Sequence, residues 1–199
     1  MQHISLFISL LSLFLLLLIP HETPSPVTAL YLYPDLINTT CKQCAEKSPT
    51  FNFNVCTSSL QTIPISHATN LQGLALIAME LALENATNTI SYIDKMIKTG
   101  KYLEPYVLRC LKDCSELYLD SVSMLVDSIE VFWWEQYEAA ALLLNTVMEA
   151  AETCEEGFKE KAQEEGSPLT VENYNLSQLG AIALCITDLL SLALDSDSS

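Results

Sequence analysis

The 199-residue chain carries 9 Lys and Arg against 25 Asp and Glu, a formal net charge of −16. An excess of this sign repels nucleic acid and anionic lipid and favours a cationic partner surface. Only 5 glycines in a chain rich in Ala and Leu suit helices and argue against an all-β sandwich.

Ile4 to Ile19 is an uncharged run of Leu, Ile, Phe and Ser. It is short for a membrane span, which needs about 20 apolar residues. Pro20, Pro24 and Pro26 forbid its helical continuation, and Val27-Thr28-Ala29 offers small residues for cleavage. Residues 1–29 are therefore expected to be a secretory signal peptide, with an uncleaved anchor as the alternative. Removing them takes away one acid, Glu22, so the charge of −16 becomes −15. What remains suits one domain with a well-buried core.

Residues 30–66 read as an N-terminal helical hairpin extension. Tyr33-Pro34-Asp35-Leu36-Ile37 enters a short helix, with Asp35 in its first turn. Ser48-Pro49 interrupts it, and residues 50–60 show no clean period before Pro64.

Residues 67–194 hold four long helical patterns. The first opens at Thr69-Asn70-Leu71-Gln72, where Thr69 and Gln72 have capping-box spacing. Its stripe is Leu76, Met79, Leu83, Ala86, Ile90, Ile93 and Ile97, and Gly100 offers a left-handed cap. The second starts around Glu104-Pro105, with Leu103, Val107, Cys110, Cys114 and Leu117 on one seam. A flanking row runs Leu111, Tyr118, Val122, Leu125 and Ile129. The third shows Tyr137, Ala140, Leu144, Val147, Ala151, Cys154 and Phe158, and ends in the charged stretch 159–165. The fourth opens near Thr170 and carries Leu176, Leu179, Ile182, Ala183, Ile186, Leu189 and Leu190. Residues 195–199 read as a disordered polar tail. Four amphipathic helices with short links make an all-α, up-down-up-down four-helix bundle the economical packing.

Seven cysteines behind a secretory leader point to disulfides. Spacing does not fix connectivity. Cys114 and Cys154 fall on core stripes of antiparallel neighbours, where a bridge would staple two sides of the bundle. Cys41 and Cys56 flank the Ser48-Pro49 break, where a bridge would close the N-terminal segment. Cys44, Cys110 and Cys185 are left over as free or unassigned thiols. Cys110 and Cys185 read as small buried apolar residues, and Cys44 as a free thiol or an intermolecular link. The Cys-x-x-Cys and Cys-x-x-x-Cys spacings invite a zinc reading, which a secreted chain without a well-placed His disfavours.

No active site assembles. After the leader only His67 remains to serve a nucleophilic triad, and a lone loop His is usually solvated. Neither a metalloprotease helix motif nor a phosphate-binding Gly-rich loop is present in the sequence. Glu155-Glu156 and Glu164-Glu165 read as solvent-facing. No catalytic residue, cofactor or metal is implied. Asn38, Asn85 and Asn175 begin candidate N-glycosylation sequons. Phe132-Trp133-Trp134 either packs under the link between the second and third bundle helices or forms an exposed apolar cluster.

The segment Asp35 to Cys41, then Ser48-Pro49 and Val55-Cys56-Thr57-Ser58-Ser59-Leu60, resembles the opening of the plant invertase and pectin methylesterase inhibitor family. So do Thr69 ahead of Leu71-Gln72-Gly73-Leu74, the run Leu111-Lys112-Asp113-Cys114, and Thr153 to Lys161. The similarity covers nearly all of residues 33–192, and the Cys154 segment is similar to pollen-allergen members described as invertase inhibitors. The resemblance implies a four-helix bundle with an N-terminal hairpin and the bridges Cys41–Cys56 and Cys114–Cys154. The first, closing a short peripheral segment, is then expected to reduce before the second. It also implies a secreted, non-catalytic protein of the cell wall (apoplast) that binds and blocks a carbohydrate-active enzyme. Invertase inhibitors of the family carry Pro-Lys-Phe at the start of the third bundle helix, and the corresponding Glu135-Gln136-Tyr137 has neither the Pro nor the Lys. The expected target is therefore pectin methylesterase, with acid invertase as the alternative. A bundle that carries a small apolar ligand, or a structural wall protein, is the reading from another class.

Overall fold

The computed structural model describes residues 35–100, 104–159 and 166–197, with side chains to Leu194, and all regular structure among them is helical. The leader, Leu103 and the Glu164-Glu165 pair lie outside the described residues.

Helix α1 (Leu36–Lys47) starts at Asp35, whose carboxylate accepts from the N–H groups of Ile37 and Asn38. Asp35 is thus the cap itself, one step before the first turn where the sequence had placed it. The helix stops because Ser48 precedes Pro49 and is extended. Asn52 then opens α2 (Phe53–Gln61), its Oδ1 accepting from Asn54 and Val55. A cap, not a hydrophobic period, therefore defines this helix, which buries only Cys56 and Leu60.

A 3₁₀ turn (Pro64–Ala68) leads into α3 (Leu71–Thr99). Asn70 caps it, accepting from the Gly73 N–H at 2.9 Å, and so displaces Thr69 from that role. Thr69 lies instead over Gly73, where a Cβ would stand 1.8 Å from its hydroxyl oxygen. Gly100 closes the helix with its N–H on Met96 O at φ −76°, without a left-handed turn.

Helices α4 (Pro105–Trp133), α5 (Tyr137–Lys159) and α6 (Thr170–Asp197) follow, and α6 runs on past Leu194 into the stretch expected as a tail. Successive helices pack on one another and α6 returns to α3, so the four form a closed ring. The α5 seam is apolar at every step, and all seven of its positions are buried. On α3 the seam is built from Ala75, Ala78, Ala82 and Ala86 with Met79 and Ile93. The larger Leu76, Leu83, Ile90 and Ile97 flank it half-buried. On α4 the seam runs Leu111, Cys114, Tyr118, Ser121, Leu125, Ser128 and Phe132. The two serines fit because their hydroxyls donate back to Leu117 O and Leu125 O, each at 2.8 Å. Helix α6 is apolar on nearly every side because it packs against α3, α5 and both hairpin helices.

A polar chain crosses one end of this core. The Tyr118 hydroxyl donates to Asn173 Oδ1 at 2.8 Å, and Asn173 Nδ2 donates to Glu155 at 2.8 Å. The Thr170 hydroxyl donates to the other oxygen of the same carboxylate at 2.8 Å. Glu155 is therefore half-buried and joins α5 to α6, where the sequence had read it as solvent-facing. Burial pushes the Tyr118 hydroxyl far above its ordinary range, so it remains a donor at every physiological pH.

Three disulfides bind the chain: Cys41–Cys56, Cys114–Cys154 and Cys44–Cys185. The last corrects the reading of Cys44 and Cys185 as unpaired. Helix α1 contacts both α2 and α6, so cysteines one turn apart on it face different helices and find different partners. Cys110 alone stays a thiol, buried at the α4–α5 contact. Loop entropy favours the link across 141 residues most, at about 5 kcal/mol against about 3 kcal/mol for the link across 15. The turn between α1 and α2 is also clasped to α6. Gln178 accepts from Asn52 N at 2.9 Å and donates to Thr50 O at 3.2 Å, while Asn52 Nδ2 donates to Tyr174 at 2.8 Å.

Three outcomes follow from this packing. Tyr118→Phe leaves Asn173 Oδ1 without its donor and should cost about 1–3 kcal/mol in urea unfolding. Cys44→Ser with Cys185→Ala should cost about 2–5 kcal/mol. Cys41 and Cys56 are fully buried, whereas Cys185 is only half-buried. Partial reduction followed by alkylation mapping should therefore label Cys44 and Cys185 ahead of Cys41 and Cys56. Earlier labelling of Cys41 and Cys56 would show that access to the sulfurs is not what governs their reduction.

Candidate functional site: the open α4–α5 face

The hairpin packs against α3 and α6 and so covers that side of the ring. The opposite side, α4 against α5, has no such cover among the described residues. Two clefts follow one another along it and share Leu117 and Thr153. The first, about 230 Å³, is lined by Tyr106, Arg109, Cys110, Asp113 and the Cys114–Cys154 bridge, among others. The second, about 210 Å³, is walled by Asp120, Ser121, Met124, Thr146 and Glu149. At the upper end the Tyr106 hydroxyl donates to Gly157 O, and the Arg109 guanidinium lies 5.3 Å from the Tyr106 ring centre. Cys110 Sγ donates to the same carbonyl at 3.4 Å.

This side is acidic, though acidity is not confined to it. Helix α4 carries five carboxylates and two cations, α5 five and one, α3 three and two, and α6 four and none. Asp113, Glu116, Asp120, Glu149, Glu152 and Glu156 are all exposed. The face is thus a shallow acidic groove, suited to a cationic protein surface rather than to an enclosed small ligand.

The residues singled out from sequence lie elsewhere. His67 is exposed beside Gln61 O at 3.2 Å. Cys41, Cys44, Cys56 and Cys185 belong to the hairpin side, and Cys114 and Cys154 form the floor of the upper cleft. No group of three or more His, Cys, Asp or Glu among the described residues has metal-binding geometry. Asn38 is exposed on α1, while Asn85 and Asn175 share a cleft under α2. The chemistry available on the α4–α5 face is recognition, through charge and apolar contact.

At the lower end of the face, the turn from α4 to α5 was only partly anticipated. Phe132 is buried, its ring 5.1 Å from that of Tyr137, whose hydroxyl accepts from Gln72 at 3.0 Å. Trp133 and Trp134 project into solvent, 68% and 72% exposed, rather than packing under the link. The turn is a Schellman closure: Gln136 N–H bonds Val131 O at 3.0 Å and Glu135 N–H bonds Phe132 O at 2.9 Å. Its left-handed position, φ 57°, is held by Glu135 where glycine is the unstrained choice. Backbone strain beside two exposed tryptophans makes this turn a candidate contact element. Glu135→Gly should raise stability by about 1 kcal/mol, read as a higher Tm with an unchanged far-UV spectrum. A lower Tm would mean that the Glu135 side chain contributes more than its backbone costs.

Comparison with known proteins agrees with this architecture. Residues 35–186 match the family model described as plant invertase/pectin methylesterase inhibitor. A Platanus orientalis protein named "Putative invertase inhibitor" is 36% identical over 156 residues, covering 78% of this chain and 90% of that one. The "Pectinesterase inhibitor" of Actinidia deliciosa is 26% identical over 191 residues, 94% of each chain. Among solved structures, a mutant form of a pectin methylesterase inhibitor from Arabidopsis superposes with a TM-score of 0.66 at 21% identity, over 78% of this chain and 97% of that one. The chain belongs to the plant invertase/pectin methylesterase inhibitor family, whose members are proteinaceous inhibitors of these enzymes and not catalysts.

Proposed function

We propose that the protein is secreted to the cell wall and inhibits pectin methylesterase there, by laying its α4–α5 face over the enzyme's substrate cleft. The observation that supports this most directly is the bare acidic side ending in the exposed pair Trp133 and Trp134. Pectin gains a carboxylate with each ester removed, so a cleft that handles it must accept anionic surface. Invertase is a glycosidase, and glycosidases work through paired carboxylates. A turn bearing Glu135 and no cation is poorly matched to such a site. Inhibition is then occlusion: the tryptophans anchor, the acidic groove steers, and no bond is made or broken.

Acid invertase is the second reading, favoured by the names of the Platanus relatives at 36% and 37% identity. Titration of the purified protein into both assays separates the two. The proposal expects loss of pectin de-esterification with sucrose hydrolysis untouched, and weaker inhibition as salt rises. Trp133→Ala with Trp134→Ala should weaken binding about 30-fold or more, the scale of an interface anchor worth about 2 kcal/mol. Asp120→Lys with Glu149→Lys should act mainly by slowing association and flattening its salt dependence. Inhibition of invertase alone would reverse the assignment of target.

A further inference from the structure

We infer that the upper cleft of the α4–α5 face is a pocket for one basic side chain of the target, a lysine or an arginine, and that Gly157 is bare to keep it open. This rests on the inhibitor reading above. Three glycines lie inside the described helices, and two of them are required by packing. A Cβ on Gly73 would stand 1.8 Å from the Thr69 hydroxyl oxygen, and one on Gly180 would stand 2.8 Å from Met148 Cγ. A Cβ on Gly157 would meet nothing within 4 Å. Gly157 is not a cap either, because it is helical and the left-handed glycine of the described chain is Gly166, at φ 64°. Helix propensity disfavours glycine against alanine by about fivefold in the folding equilibrium, and no contact at Gly157 offsets it. A local rule broken without a gain in packing belongs to a functional position.

The missing side chain leaves the cleft free. Gly157 lines it opposite Tyr106, Arg109 and Asp113 of α4, above Leu117 and the Cys114–Cys154 bridge. At about 230 Å³ it has room for one side chain rather than for a larger ligand. The apolar floor suits the methylene stem of a long side chain whose head stays polar. That head meets Asp113, which is exposed and has no ion-pair partner among the described residues. Arg109, one turn before Asp113, lies instead over the Tyr106 ring, 5.3 Å from its centre. Tyr106 and Cys110 both donate to Gly157 O and so fix the rim of the pocket. The acidic face draws a basic side chain to this point and repels a carboxylate.

Inhibition titrations against pectin methylesterase, run beside thermal unfolding, test this. Gly157→Ala should raise the Tm by about 2 °C and yet weaken inhibition about threefold. Gly157→Met should fill the cleft and weaken inhibition about 30-fold or more. A glycine kept for the fold alone would move stability and inhibition the same way. Asp113→Asn should weaken inhibition about threefold, with Asp113→Glu retaining most of it. In the Gly157→Met background Asp113→Asn should add nothing, because the side chain that it holds is no longer seated. Undiminished inhibition by both Gly157 variants overturns the pocket, and undiminished inhibition by Asp113→Asn overturns its basic occupant. A wild type that blocks acid invertase alone overturns the choice of target, and the same variants then decide on the pocket in that assay. A wild type that blocks neither enzyme overturns the inhibitor reading, and the pocket with it.

Discussion

The Cys44–Cys185 bond decides how the two parts of this molecule are disposed. Helices α1 and α2 bury too few side chains to hold a position by apolar contact alone: Ile37, Cys41, Cys44, Cys56 and Leu60 make up most of what they contribute. Cys41–Cys56 makes them a rigid hairpin but ties them to nothing else. Cys44–Cys185, the Gln178 clasp and the Asn52–Tyr174 hydrogen bond fix the hairpin against α6. Once it is fixed there, the α3–α6 side is covered and the α4–α5 side is left open. The exposed face follows from that placement.

Much of the architecture can be read from the chain alone, for reasons that differ between helices. Helix α5 is legible because every position of its seam is a hydrophobic residue, so periodicity and burial coincide. On α3 and α4 they separate. Helices that approach closely need small residues at the contact, and Ala75, Ala78, Ala82, Ser121 and Ser128 fill that need. A reading that follows large apolar residues lands on the flanks, at Leu76, Leu83, Val122 and Ile129, which are half-buried. Ser121 and Ser128 carry no apolar signal at all, because their hydroxyls are satisfied by their own helix.

The functional surface is less legible because it depends on tertiary placement. Counting charges helix by helix finds acids on α4, α5 and α6 alike, and does not tell which side is uncovered. Cys44 and Cys185 are 141 residues apart, and spacing over that distance carries no information on pairing. The exposure of Trp133 and Trp134 depends on a Schellman turn with Glu at its left-handed position. Composition argues against that conformation, since glycine is the usual occupant. Such a departure from local preference is what a contact element is expected to show.

The two components of the face act over different distances, and this bears on how a target is chosen. Exposed carboxylates along α4 and α5 act through solvent and are screened beyond about 8 Å at physiological ionic strength. Each contributes little to the affinity of a docked complex, but together they raise the rate at which a cationic surface arrives in the right orientation. Discrimination between enzymes of like surface charge cannot come from this field, because both would be steered alike. It has to come from contacts that exclude water, and the turn supplies the large apolar side chains for them. Glu135 sits between those tryptophans and α5, so burying the turn also buries its charge, which is costly unless the target offers a partner. Under the proposed function, an enzyme whose cleft presents carboxylates at that point should be rejected and one that presents a cation accepted. Target choice would then rest on a few residues at one end of the face, while the charge along the rest of the face sets how fast the complex forms.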